Sequence, residues 1–186
     1  NKDGRSAGSK SYMWVYRTGK MYDAPPIVLY EYQKTRNTSH PREFLKGYKG
    51  ICVTDGYQVY HTLEKEQKDL KVAGCWCHAR RRFADVVKSL GKEKAKDTLA
   101  YQTLKKIGAI YKMEEELSTL PPEERLIRRQ LSVKPLVDAF FAWVKNNRDK
   151  VPPKSETGKG FTYCLNQEKY LRVFLKNGMV PADNNA

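Results

Sequence analysis

The sequence predicts an α/β fold: a mixed sheet built early in the chain, then a long helical segment. Three observations predict it. Short alternating runs rich in aromatic and β-branched residues crowd the first half of the chain. From Glu93 onward a helical apolar period takes over. No glycine-rich phosphate loop of either standard pattern occurs, which argues against a Rossmann arrangement.

The elements follow in order. Residues 1–10 are polar and glycine-rich and read as a loop or disordered end. Residues 11–17 read as a strand, 18–20 as turn material and 26–33 as a second strand, so the pair forms an antiparallel hairpin with a long loop. Pro41 near a helix start predicts a short helix over 40–46 with Phe44 and Leu45 inward. In 50–57, Ile51 and Val53 alternate in a strand that ends at Asp55, and Gly56 breaks it. A polar helix (58–68), a short strand (71–76) and a strongly basic helix (78–90) come next.

In the second half, Leu99, Leu104, Ile107, Ile110, Tyr111 and Leu117 share one helical face. Pro121 and Pro122 separate this helix from another over 135–144, where Pro135 sits in the first turn or kinks a longer helix. Residues 151–160 read as a connecting loop. Residues 161–177 read as a helix with Leu165, Leu171, Phe174 and Leu175 inward and Gly178 as its stop.

Charge narrows the partners. The 186 residues carry 35 Lys and Arg against 21 Asp and Glu, a net charge of +14. Such an excess favours a polyanion, nucleic acid first and an anionic membrane surface second. It is spread along the chain, +8 over 1–90 and +6 over the remainder, so the positive field belongs to the folded body. No apolar run is long enough to span a bilayer and no signal-peptide pattern opens the chain, so a soluble cytoplasmic protein is expected. The four cysteines do not form a disulfide framework. A chain that opens at Asn1 and stops after Ala186 reads as a piece of a longer protein.

Two clusters carry chemistry. Asp55 is a lone carboxylate at a strand tip, where a metal-assisted phosphoryl-transfer enzyme places a magnesium ligand; the plainer reading is an Asp-Gly turn. Cys75, Cys77 and His78 raise the question of zinc. Their spacing is too tight and no second ligand pair completes a tetrahedron, so Cys75 and His78 read instead as a strand-to-helix corner beside a site. Arg80, Arg81 and Arg82 are about 100° apart on a helix, so not all three can face one ligand; phosphate contact and a solvated face are both open. Trp14, Trp76 and Trp143 read as core or interface residues, and Glu114, Glu115 and Glu116 as an exposed acidic stretch balancing lysines.

Taken in order, residues 12–17, 40–45, 54–57, 74–81, 163–167 and 183–185 resemble the catalytic domain of the insertion-sequence-66 family of bacterial transposases, over nearly the whole chain. The resemblance implies a ribonuclease-H-like fold with a DDE site, in which two aspartates and a glutamate hold Mg2+ or Mn2+ for cleavage and strand transfer of double-stranded DNA. It divides the chain into a core (1–92), a helical insertion (93–150) and a returning helix that leads to the Asp183–Asn185 segment (151–186). Asp55 matches the family's second aspartate, Cys75 and His78 its Cys-x-x-His signature, and Asn184 and Asn185 the approach to its final glutamate. Arg80, Arg81 and Arg82 become candidates for DNA backbone contacts. The first aspartate, with the first sheet strand, would precede Asn1 and the glutamate would follow Ala186. A chain holding one of three acids is then expected to be inactive and to bind no metal by itself. A homo-oligomer acting on paired DNA ends is also implied. The competing readings are a non-catalytic DNA-binding or assembly domain with the same fold, and a cellular ribonuclease-H-like nuclease.

Overall fold

The computed structural model describes residues 4, 6, 8–19, 21 and 24–184. It is a mixed α/β structure with two small sheets. Strands β1 (Tyr12–Arg17) and β2 (Val28–Gln33) form the expected antiparallel hairpin, with Trp14 opposite Glu31 and Tyr16 opposite Leu29. Side chains alternate across such a ribbon. Trp14 is accordingly buried, while Met13, Val15, Tyr30 and Tyr32 stand out in solvent.

Helix α1 (Ser39–Phe44) buries Pro41, and Leu45 just after it is buried as expected. Phe44 is not inward: it is 40% exposed and stacks flat on Tyr16, with ring centroids 3.6 Å apart. Two consecutive residues on so short a helix cannot share its single inner face.

The second sheet positions the rest. β3 (Gly50–Thr54), helix α2 (Gln58–Glu66) and β4 (Leu70–Gly74) form a strand–helix–strand unit whose strands run parallel, with Thr54 opposite Gly74. Both strands therefore end at the same edge, and Asp55 and Cys75 leave the sheet side by side. β4 divides the interior. Leu70 and Val72 join Leu63 and Leu45 in a small cluster, while the alternate residue Ala73 faces a much larger one.

The larger cluster is helical. It joins α3 (Trp76–Leu90), α5 (Leu99–Glu116), α7 (Lys134–Asn147) and α8 (Glu156–Asn166), with a four-residue α4 (Lys92–Ala95) as a connector. Trp76 is fully buried at its centre, edge-on to Phe140 at 5.2 Å, and its indole N–H donates to the Leu171 carbonyl at 2.9 Å. That bond satisfies the one polar atom of an otherwise apolar side chain. Residues from 1–92, 93–150 and 151–186 share this core.

Helix α6 (Pro122–Arg128) runs through a π turn (Arg129–Val133) into α7, and Pro135 sits in the first turn of α7. A proline removes one helical hydrogen bond and crowds the carbonyl four residues back, here that of Leu131, and the wider π turn accommodates both effects.

Three sequence expectations are corrected here. The segment 151–160 is a loop only to Ser155; α8 starts at Glu156, capped by Ser155 Oγ, which accepts from the Gly158 N–H. Gly158 and Gly160 serve close packing: a Cβ on Gly160 would lie 2.7 Å from the Phe83 ring, and one on Gly158 would meet the Pro152 carbonyl. The segment 161–177 is not one helix: it breaks after α8 into α9 (Glu168–Leu171) and a 3-10 turn (Val173–Lys176). Leu165 is half-buried, and Leu171, Phe174 and Leu175 are buried as expected. Gly178 is not a left-handed cap. It lies against Pro122, whose carbonyl a Cβ would strike. Backbone on backbone cannot yield, so Gly178→Ala is expected to cost about 2–4 kcal/mol, read as a shift in the urea midpoint at unchanged m-value.

Two buried arginines one turn apart tie the C-terminal segment down. Arg125 donates to the carbonyls of Leu117, Ser118, Leu120 and Gly178. Arg129, fully buried, donates to the carbonyls of Phe174, Asn177 and Val180 and pairs with Glu114 at 2.9 Å. Glu114 is thus no exposed counter-charge to lysines: its side chain is 11% exposed and commits to Arg129.

Candidate functional site

Four of the residues singled out in the sequence meet at one corner. The parallel register puts Asp55 beside Cys75, and the C-terminal segment closes over them. The Trp76 N–H donates to the Ala182 carbonyl at 3.0 Å, and the Asn184 N–H points to Cys75 Sγ at 3.5 Å. Asn185 lies outside the described residues. Asp183 accepts from the Tyr111 hydroxyl at 2.8 Å, so a residue of α5 fixes the carboxylate beside Asn184. Burial, and then that hydrogen bond, hold the Tyr111 phenol well above its ordinary pKa.

Asp55 is half-buried at the tip of β3. Its Oδ1 accepts from the Tyr57 N–H at 2.9 Å, and Gly56 between them takes φ +84°, a conformation that favours glycine. The turn reading of Asp55 is therefore true as geometry, and it leaves Oδ2 outside the turn. Tyr163 of α8 donates from its hydroxyl to the Asp55 carbonyl at 2.9 Å. A Cβ on Gly56 would sit 3.1 Å from both Tyr163 Oη and Gln167 Cδ, so α8 presses the turn into place. Tyr163 and Gln167 are four apart and share a helix face, a spacing visible in the sequence but with no partner to aim at. Burial holds the Tyr163 phenol above its ordinary pKa.

Cys75 is fully buried, and burial pushes its thiol up, against the pull of the backbone N–H groups of Asn184, His78 and Cys77. His78, one turn into α3, is half-buried, and its Nδ1 is buried with no hydrogen-bond partner among the described residues. The three arginines separate. Arg81 is close enough to His78 to disfavour its protonation, and Arg82 lies over the Tyr163 ring at 5.5 Å. Arg80 is exposed and turned about 100° from Arg81.

Among the described residues no three His, Cys, Asp or Glu side chains group to hold a metal. Asp55 brings one carboxylate with one oxygen already engaged, whereas magnesium asks for near-octahedral oxygen coordination. These residues do not fit a divalent ion by themselves. Cys75, Cys77 and His78 likewise assemble no zinc group. No helix of the described residues is long and apolar enough to cross a membrane.

The histidines give the corner and its neighbour α2 a pH signature. Burial, the largest influence, lowers the pKa of both His61 and His78 from the ordinary 6.5. The unfolded chain then binds more protons than the folded one below that value, so stability is full above about pH 6.5 and declines as pH falls through it. Urea unfolding at about pH 7.5, 6.5 and 5.5 is expected to show this decline, and the His61→Gln, His78→Gln double variant is expected to flatten it.

Comparison with known proteins adds the following. The family model described as "Transposase IS66 family" matches residues 1–186. Three uncharacterized proteins of Sinorhizobium fredii (strain NBRC 101917 / NGR234) are similar to the chain. Protein y4qI is 28% identical, over 98% of this chain and 34% of its own length. Protein y4hP is 31% identical over 88% and 31%, and y4jD is 29% identical over 87% and 32%, respectively. The chain therefore spans about a third of the length of the curated relatives it matches. No solved structure matches it.

Proposed function

Since the chain belongs to the IS66 family of transposases, we propose that it forms part of the catalytic domain of an enzyme that cuts and joins DNA during transposition, with Asp55 as one of its acidic residues. The observation that carries this reading is the convergence of Asp55, Cys75, His78 and Asn184 at one sheet edge, from segments well separated in sequence. The strand–helix–strand unit with Asp55 at its tip supports a ribonuclease-H-like core, with 93–150 as a helical insertion and 151–186 as the returning segment.

DNA-processing enzymes of this kind generally use a divalent ion, which when bound stabilises the charge that develops on a phosphodiester under attack. Of the acids that would hold such an ion, Asp55 is the one this proposal assigns to the described residues. In this proposal the remaining acids come from other parts of the full-length protein. The chain's own residues do the positioning. The Tyr57 N–H and the Tyr163 hydroxyl hold Asp55 at its side chain and at its carbonyl, and α3 brings Arg81 and Arg82 alongside. The net charge of +14 suits a DNA duplex, whose phosphates are neutralised by Lys and Arg. The test is strand cleavage of a DNA duplex by the full-length protein and its Asp55→Asn variant; equal cleavage by the two overturns the reading.

A further inference from the structure

Two arginines each rest on a tyrosine that is itself hydrogen-bonded to the Asp55 turn. The Arg36 guanidinium lies 4.1 Å from the Tyr57 ring centroid and 5.7 Å from that of Tyr12. Tyr57 also donates from its hydroxyl to the Arg36 carbonyl at 2.8 Å, and its N–H pins the Asp55 carboxylate. Buried Trp14 packs beside the Tyr57 ring, with centroids 6.3 Å apart, so the platform is braced from the core. Arg82 likewise lies over Tyr163, whose hydroxyl holds the Asp55 carbonyl.

Both arginines are exposed, and neither forms an ion pair with a carboxylate among the described residues. Glu156 feels the charge of Arg82 but pairs with Lys159 at 2.6 Å. An arginine kept only for stability ordinarily takes a carboxylate or carbonyls, as Arg129 and Arg125 do here. A guanidinium stacked on an aromatic face keeps its planar fork of N–H donors available to a ligand, and that fork matches the oxygens of a phosphate.

We infer that Arg36 and Arg82 form a two-pronged seat for the backbone phosphates of a DNA strand, aligned on Asp55 by Tyr57 and Tyr163. The inference rests on the DNA-processing reading above and adds to it which cations accompany the carboxylate. Arg36 comes from the linker between β2 and α1, a segment with no periodicity to mark it. The seat also offsets the repulsion between a phosphate and Asp55.

The test is salt-dependent binding of the full-length protein to a mixed-sequence DNA duplex, since phosphate contacts do not depend on base identity. Arg36→Ala and Arg82→Ala are each expected to weaken binding roughly tenfold and to lower the slope of log K against log salt by about one. Arg36→Lys is expected to retain the slope and lose affinity, because it keeps the charge and not the fork. Thermal melts confirm that these exposed changes leave the fold intact. Wild-type affinity and slope in both alanine variants overturn the seat and leave the transposase reading standing. A wild-type protein with no salt-dependent DNA binding overturns both.

Discussion

Asp55→Asn in the full-length protein is expected to lower DNA strand cleavage by about a thousandfold or more while leaving DNA affinity within about twofold, because phosphate contacts supply most of that affinity. The substitution isolates charge from shape. An asparagine carbonyl still accepts from the Tyr57 N–H, so the turn, the φ +84° glycine and the Tyr163 contact can all persist. What is lost is a negative oxygen at the edge shared with Cys75 and Asn184. Cleavage of an end-labelled duplex in magnesium or manganese, beside a binding isotherm and a thermal melt, separates these effects. Undiminished cutting would remove Asp55 from the chemistry, and weakened binding with a lowered melting point would assign it to the fold.

The largest stability effect is expected at Arg129. Its side chain is fully buried, with Glu114 on one side and three backbone carbonyls on the other. Arg129→Met keeps much of the volume but strands a buried carboxylate and several acceptors, and breaking such a pair from one side costs about 3–5 kcal/mol. For a chain of this size the melting temperature should fall by roughly 10 °C. Adding Glu114→Gln to Arg129→Met should recover a substantial part of the loss, since it removes the uncompensated charge. A single variant that melts like wild type would show that the pair contributes little.

How far the sequence led varies with the kind of signal. Strand and helix positions in 11–90 were legible from alternation and from the breaks at glycine and proline. Asp55 was legible as the end of a strand, and Cys75 with His78 as a corner beside a site; the parallel pairing that brings Asp55 and Cys75 to one edge was not. Gly158 and Gly160 misled because a glycine that breaks a chain and one that lets two elements touch look the same in sequence; only Pro152 and Phe83 reveal the second use. Glu114 misled for a similar reason, since its partner Arg129 lies beyond the next corner. Arg36 and Tyr163 were invisible as site neighbours. Their relation to Asp55 exists only across the fold, at separations that no periodicity encodes.

The buried guanidinium pair has a consequence for sequence drift. Arg125 and Arg129 direct their hydrogen bonds in this stretch to main-chain oxygens between 174 and 180. The path of that stretch is thus recorded in two distant residues, and positions such as Lys176 and Met179 are free to change identity while the chain still arrives at Cys75 in the same place. Mutational scanning should find Lys176 and Met179 tolerant within a strap otherwise fixed by buried Phe174, Leu175 and Val180, by close-packed Gly178 and by the two arginine rivets.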